Sequence, residues 1–182
     1  MLYTRKGDNG TTKTFGAKER ISKSSPAAEA LGSLDEANSY LGVLKKMCVG
    51  NTEKIRGETV PAILHRVQND LFIVQAEIAG ADKALPDGET EFLEGIIDAI
   101  EKTLPPIKSF FIPGADEISA HFDFARTLVR RAERRIVAVH DEKIVAAKPE
   151  TLRFLNRLSS LLYALARHAA HIAGTPETPP TY

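Results

Sequence analysis

Between Glu150 and Ile172 apolar side chains return every three or four residues: Leu152, Leu155, Leu158, Leu162, Leu165 and Ala169. That spacing lines one side of a helix and is wrong for a strand, whose faces alternate every two residues. A helix striped in this way must bury the stripe against other helices or a sheet.

Similar spacing recurs upstream. From about Ala27 to Lys46 it picks out Ala30, Leu31, Leu34, Ala37, Leu41 and Leu44. A second helix has Pro61 in its first turn, where proline is tolerated, carries Ile63, Leu64, Val67, Leu71, Val74 and Ile78, and ends near Gly80. A third runs from about Thr90 to Lys102 and is stopped by Pro105 and Pro106. A fourth spans roughly Glu117 to Val139. Residues 51–59, 82–89 and 108–119 read as loops, the last of them apolar. Nothing reads as a multi-stranded sheet. The expected fold is all-α, a five-helix bundle with ferritin-like up-down packing. One domain is expected over residues 1–182, with an ordered loop at 1–23 and a proline-rich tail at 174–182 that frays.

The charge of the chain is balanced, with 24 Lys plus Arg against 24 Asp plus Glu, yet "RTLVRRAERR" at 126–135 holds five arginines and one glutamate. On a helical wheel Arg126, Arg130 and Arg134 fall at about 0°, 40° and 80°, bordering the apolar arc of Leu128, Val129, Ala132, Ile136 and Val139, while Arg131 and Arg135 point farther out. One glutamate cannot neutralise five guanidinium groups within the helix, and like charges four apart repel. An external anion is implied. A polyphosphate fits, because the planar arginine fork pairs two oxygens at once. A nucleic-acid coat is disfavoured by the zero net charge.

The segment "YTRKGDNGTTKT" (3–14) points the same way. Gly7 and Gly10 let backbone N–H groups approach a ligand, Thr4, Thr11 and Thr12 offer hydroxyls, and Lys6 and Lys13 offer charge. It is not a phosphate-binding P-loop: two residues separate its glycines, and Thr12 rather than glycine precedes Lys13. Cys48 stands alone, so no intrachain disulfide forms and a reducing compartment is expected. No apolar leader or membrane span is read, and a cytoplasmic protein is expected. His168 and His171 are spaced three apart but have no carboxylate or thiolate beside them, so no protein-held metal is expected.

Six segments taken together, "YTRKGDNGTT" (3–12), "EALGSLDEANSYLG" (29–42), "VQNDLF" (67–72), "FFIPGA" (110–115), "ARTLVRRAERR" (125–135) and "FLNRLSSLLYALAR" (154–167), resemble the PduO-type ATP:cob(I)alamin adenosyltransferases. The resemblance implies transfer of the 5′-deoxyadenosyl group of ATP to cob(I)alamin, as in the cob(I)yrinic acid a,c-diamide adenosyltransferase type. It implies a homotrimer of five-helix bundles with active sites between subunits, and Mg²⁺ held mainly through the ATP phosphates. A reductase and a cobalamin-dependent mutase are the implied protein partners. A regulatory or delivery module of the same fold, binding ATP or carrying adenosylcobalamin, is the alternative.

By motif, Thr4, Arg5, Lys6 and Gly7 would line the nucleotide, with Thr12 and Lys23 at its phosphates. Arg130, Arg131, Glu133, Arg134 and Asn156 would form the opposite wall. Arg130 matches the family's catalytic arginine. Arg126 would pair with Asp35 of a neighbouring subunit on the corrinoid side, and Phe110 would sit beneath the corrin and help displace the lower axial ligand. Ile112 and Ala115 replace the family's usual leucine and second glycine in the loop after Phe110. Asp123 stands where the family often has histidine.

Overall fold

The computed structural model describes residues 2–15 and 17–182; Met1 and Gly16 of the expected N-terminal loop lie outside them. Five helices form: α1 (Pro26–Met47), α2 (Val60–Ile78), α3 (Glu89–Glu101), α4 (Glu117–Asp141) and α5 (Pro149–Ile172). The expected all-α bundle is what the chain adopts. Two minimal antiparallel hairpins accompany it, β1 (Thr11–Thr12) with β2 (Ile21–Ser22), and β3 (Lys54–Ile55) with β4 (Glu58–Thr59).

Local signals set the helix starts. Ser25 caps α1 by accepting from the Ala28 N–H, and Pro26 follows it. Thr59 does the same for α2 towards Ala62. Asp116 and Ser119 close a reciprocal capping box on α4. Helix α5 is different, because Lys148 at its N-cap makes no side-chain cap. The buried Glu77 of α2 stands in there, accepting from the Lys148 N–H at 2.8 Å and from the Thr151 hydroxyl at 2.8 Å. A carboxylate at a helix N-terminus also meets the positive end of the helix dipole.

The helices pack in a chain of neighbours, α2 on α1, α1 on α4, α4 on α5 and α5 on α3. Every apolar position expected on α2 is buried, as are Leu128, Val129, Ala132, Ile136 and Val139 of α4. On α5 the buried face is broader than the expected stripe: Phe154, Leu161, Ala166 and Ala170 join Leu155, Leu158, Leu162 and Leu165, whereas Leu152 and Ala169 are half-buried. Helix α5 is therefore covered on two sides, by α4 and α3, while α4 is the middle member of the row. No helix among the described residues is long and apolar enough to cross a membrane.

Two expected loops have more form than anticipated. Residues 51–59 make a tight hairpin, with Arg56 at φ 52° and Gly57 at φ 87° as a two-residue turn. The closing segment lies against the molecule at Glu177 and Thr178. The Thr178 carbonyl accepts from the Ile112 N–H at 2.9 Å, and Glu177 pairs with Arg167, a guanidinium group only 5% exposed.

Candidate functional site

The N-terminal segment folds back on itself. Pairing of Thr11 with Ser22 and of Thr12 with Ile21 returns the chain so that the Lys23 N–H donates to the Gly10 carbonyl at 2.9 Å. The Lys23 ammonium then lies over Gly7, where a Cβ would approach Nζ to 3.2 Å. Gly7, Thr12 and Lys23, separated in sequence, thus share one small hairpin. Arg5 sits in the left-handed region at φ 59° and donates to the Tyr3 hydroxyl. Thr4, Arg5 and Lys6 are exposed. Arg20, which the sequence reading passed over, braces this hairpin: Nε donates to the Thr11 hydroxyl and a terminal nitrogen to its carbonyl, both at 2.7 Å.

On α4 the arginines separate into two groups. Arg131 pairs with Glu36, and Arg135 lies 3.5 Å from Glu29, both carboxylates on α1. The excess positive charge is therefore partly balanced across the helix interface, which the reading of a single helix could not include. Arg131, expected on the nucleotide wall, is engaged by Glu36 within the chain. Arg130 and Arg134 are exposed and, among the described residues, join no ion pair. Between them Glu133 is half-buried and accepts from Asn156 Nδ2 of α5 at 3.1 Å. That contact places two expected wall residues side by side.

A cavity of about 660 Å³ opens beside this row, a size suited to a small-molecule ligand. The loop residues Phe110 to Ala115, Arg126 and Arg130 of α4, and Tyr163 and Arg167 of α5 line it. Phe110 is 83% exposed, so its ring has no core role in the chain alone. Burial pushes the Tyr163 phenol up, so it stays protonated and able to donate. Arg167 holds the loop's start by donating to the Pro105 carbonyl at 3.0 Å and lies over the Phe111 ring at 5.4 Å. Its sequence signal was a charged residue inside the apolar run "LLYALARHAA".

Arg126 does not meet Asp35 within the chain. Its Nε donates to Asp123 at 3.4 Å. Asp35 is exposed on α1 and, among the described residues, makes no hydrogen bond or ion pair. No residue of the N-terminal hairpin lines the cavity, and neither does Asp35. One chain thus holds the expected residues in three separate places: the hairpin, the α4–α5 wall with its cavity, and Asp35.

His168 is buried, and burial holds its imidazole below the usual range. Its Nε2 lies 3.6 Å from Glu53, too far for a hydrogen bond. Among the described residues no group of three or more His, Cys, Asp or Glu side chains could hold a metal ion.

Residues 2–169 match the family model described as cobalamin adenosyltransferase. Corrinoid adenosyltransferase PduO of Citrobacter freundii is 38% identical over 179 residues, covering 94% of this chain and 50% of the relative. The chain thus spans about half the length of that protein. A second corrinoid adenosyltransferase of Citrobacter freundii is 38% identical over 175 residues, covering 91% of this chain and 93% of the relative. Among solved structures, a phenylalanine-to-alanine variant of the PduO-type ATP:corrinoid adenosyltransferase from Lactobacillus reuteri, complexed with cobalamin and ATP, superposes with a TM-score of 0.86 at 29% identity, over 100% of both chains.

Proposed function

The chain belongs to the cobalamin adenosyltransferase family, and on that premise we propose that it transfers the 5′-deoxyadenosyl group of ATP to cob(I)alamin, giving adenosylcobalamin and tripolyphosphate. The observation that carries the reading is the shared cavity, where an exposed aromatic ring, Phe110, and two guanidinium groups, Arg126 and Arg130, face one space.

In the transfer the reduced cobalt donates its electron pair to C5′ of ATP, the C5′–O bond breaks, and tripolyphosphate leaves with the bonding pair. Little proton transfer is required, so the work of the protein is placement and charge stabilisation. Arg130 and Arg134 would hold the departing tripolyphosphate, each able to pair two oxygens. Thr4, Arg5, Lys6, Gly7, Thr12 and Lys23 would bind the nucleotide from the hairpin side. The Glu133–Asn156 pair would fix the wall between the arginines. Phe110 would exclude the lower axial ligand, which favours the four-coordinate cobalt that is more easily reduced. Magnesium would enter on the triphosphate oxygens it prefers, and Arg130, Arg134 and Lys23 would share the rest of the charge.

This reading needs more than one chain, because Asp35 and the hairpin stand apart from the cavity. We infer a homotrimer with sites between subunits, in which Asp35 of one chain meets Arg126 of the next and Arg131 flanks the nucleotide beside its ion pair with Glu36. A reductase that supplies the electron and a mutase that takes the product are the proposed partners, in the cytoplasm.

Anaerobic mixing of the protein with cob(I)alamin and MgATP, followed by visible absorption for the cobalt–carbon bond, is the test. Adenosylcobalamin should form, and Arg130→Ala should slow its formation by about a hundredfold or more. Absence of product with ATP still bound would reassign the chain as an ATP-binding regulatory module.

A further inference from the structure

Gly114 closes the loop that carries Phe110. It sits at φ 89°, where a side chain is strained, and it packs beside the first turn of α4, where a Cβ would be in ordinary contact, 3.4 Å, with that of Ala120. Its N–H donates to Oδ2 of Asp123 at 3.2 Å. The other oxygen of the same carboxylate, Oδ1, accepts from Arg126 Nε. The Asp123 side chain is only 13% exposed, and it lines the cavity together with Phe110, Gly114, Arg126 and Arg130. One carboxylate therefore has one oxygen on the loop and the other on the arginine row.

We propose that Asp123 is a positioning residue of this cavity, a clamp that fixes the Phe110 loop relative to Arg126. The proposal rests on reading the cavity as the corrinoid side of the site. A carboxylate suits the task because both its oxygens accept, so it serves two donors at once. An amide in its place would serve one donor and turn an NH₂ group towards the other. The clamp acts through Phe110 and Arg126 and touches neither ATP nor the reacting atoms.

The test compares the parent with Asp123→Ala, Asp123→Asn and Asp123→Glu. Loss of a charge-assisted hydrogen bond should raise the KM for cob(I)alamin by about tenfold in Asp123→Ala, with the KM for ATP within about twofold of the parent. Asp123→Asn should fall between, and Asp123→Glu should recover part of the loss. Amide deuterium uptake over residues 109–116, read without substrates, should speed up in Asp123→Ala. The near-isosteric Asp123→Asn carries the same comparison if the alanine variant does not fold.

An unchanged cob(I)alamin KM in a folded Asp123→Ala overturns the positioning role, whatever the uptake shows. If the parent itself makes no adenosylcobalamin, the reading of the cavity has failed, and uptake over 109–116 alone decides the clamp. Faster uptake in the variant upholds it and equal uptake overturns it.

Discussion

Asp35 and Glu36 are adjacent in the chain and have opposite commitments. Glu36 is tied to Arg131 of α4, while Asp35 points outward among exposed neighbours. A solvated carboxylate with no partner contributes little to the stability of its own chain. Asp35→Asn should therefore leave the fold and the ATP affinity close to the parent, within about twofold, while slowing corrinoid adenosylation by about tenfold or more, the worth of a lost charged hydrogen bond. Parallel ATP titration and turnover assays check this, and an equal fall in ATP affinity would remove Asp35 from the corrinoid side. At this scale Lys23 was named only by the family resemblance, and no local spacing in residues 13–20 announces that the chain will return it to Gly7. Lys23 reaches Gly7 because two residue pairs close the β1–β2 hairpin. The sequence was equally silent where the partner lies on another helix. Nothing in "RTLVRRAERR" says that Glu29 and Glu36 of α1 will face Arg135 and Arg131.

At the scale of the element, α4 carries both the cavity wall and the arginine row, so the stability of its first turn matters. Asp116 accepts from the N–H groups of Ile118 and Ser119, and the Ser119 hydroxyl serves the Asp116 N–H. Asp116→Ala should cost about 1 kcal/mol of stability in chemical denaturation, the usual worth of an N-cap. A change near zero would mean that the tertiary contacts of α4 hold its first turn without the cap. Apolar spacing marked the starts of α1 and α4, and Pro61 that of α2, whereas the caps that set them, Ser25, Thr59 and Asp116, went unread. The β3–β4 hairpin was not legible, because its turn puts Arg56 at positive φ, a conformation that Asn or Asp would advertise and arginine does not.

For the whole molecule, the most exposed dependence is on proton concentration. Asp70 is buried on α2, one of its oxygens has no partner, and its carboxyl is pushed up to about 7, first by burial and then by the Glu89 carboxylate, with the Arg66 guanidinium opposing. The folded state thus binds this proton more tightly than the unfolded chain, whose aspartates titrate near about 4. The stability it contributes is complete below about pH 4 and is lost as pH rises through about 7. Melting curves of the parent and Asp70→Asn across this range should diverge, the variant gaining on the parent between about pH 4 and about pH 7 and keeping a constant lead above it. A constant gap would show that Asp70 ionises in the fold as it does in water.

Helix α5 packs between α4 and α3, yet its N-cap residue supplies no side-chain cap for its beginning. The carboxylate that accepts from the Lys148 N–H and the Thr151 hydroxyl belongs to Glu77, which precedes Thr151 by 74 residues. Until the far end of α2 arrives, the first turn of α5 lacks this carboxylate, so closing that long chain loop and completing the turn are coupled. The contact of α1 with α2, joined through the β3–β4 hairpin, spans a far shorter stretch of chain than this one, so the Glu77 tie carries the larger loop-closure cost.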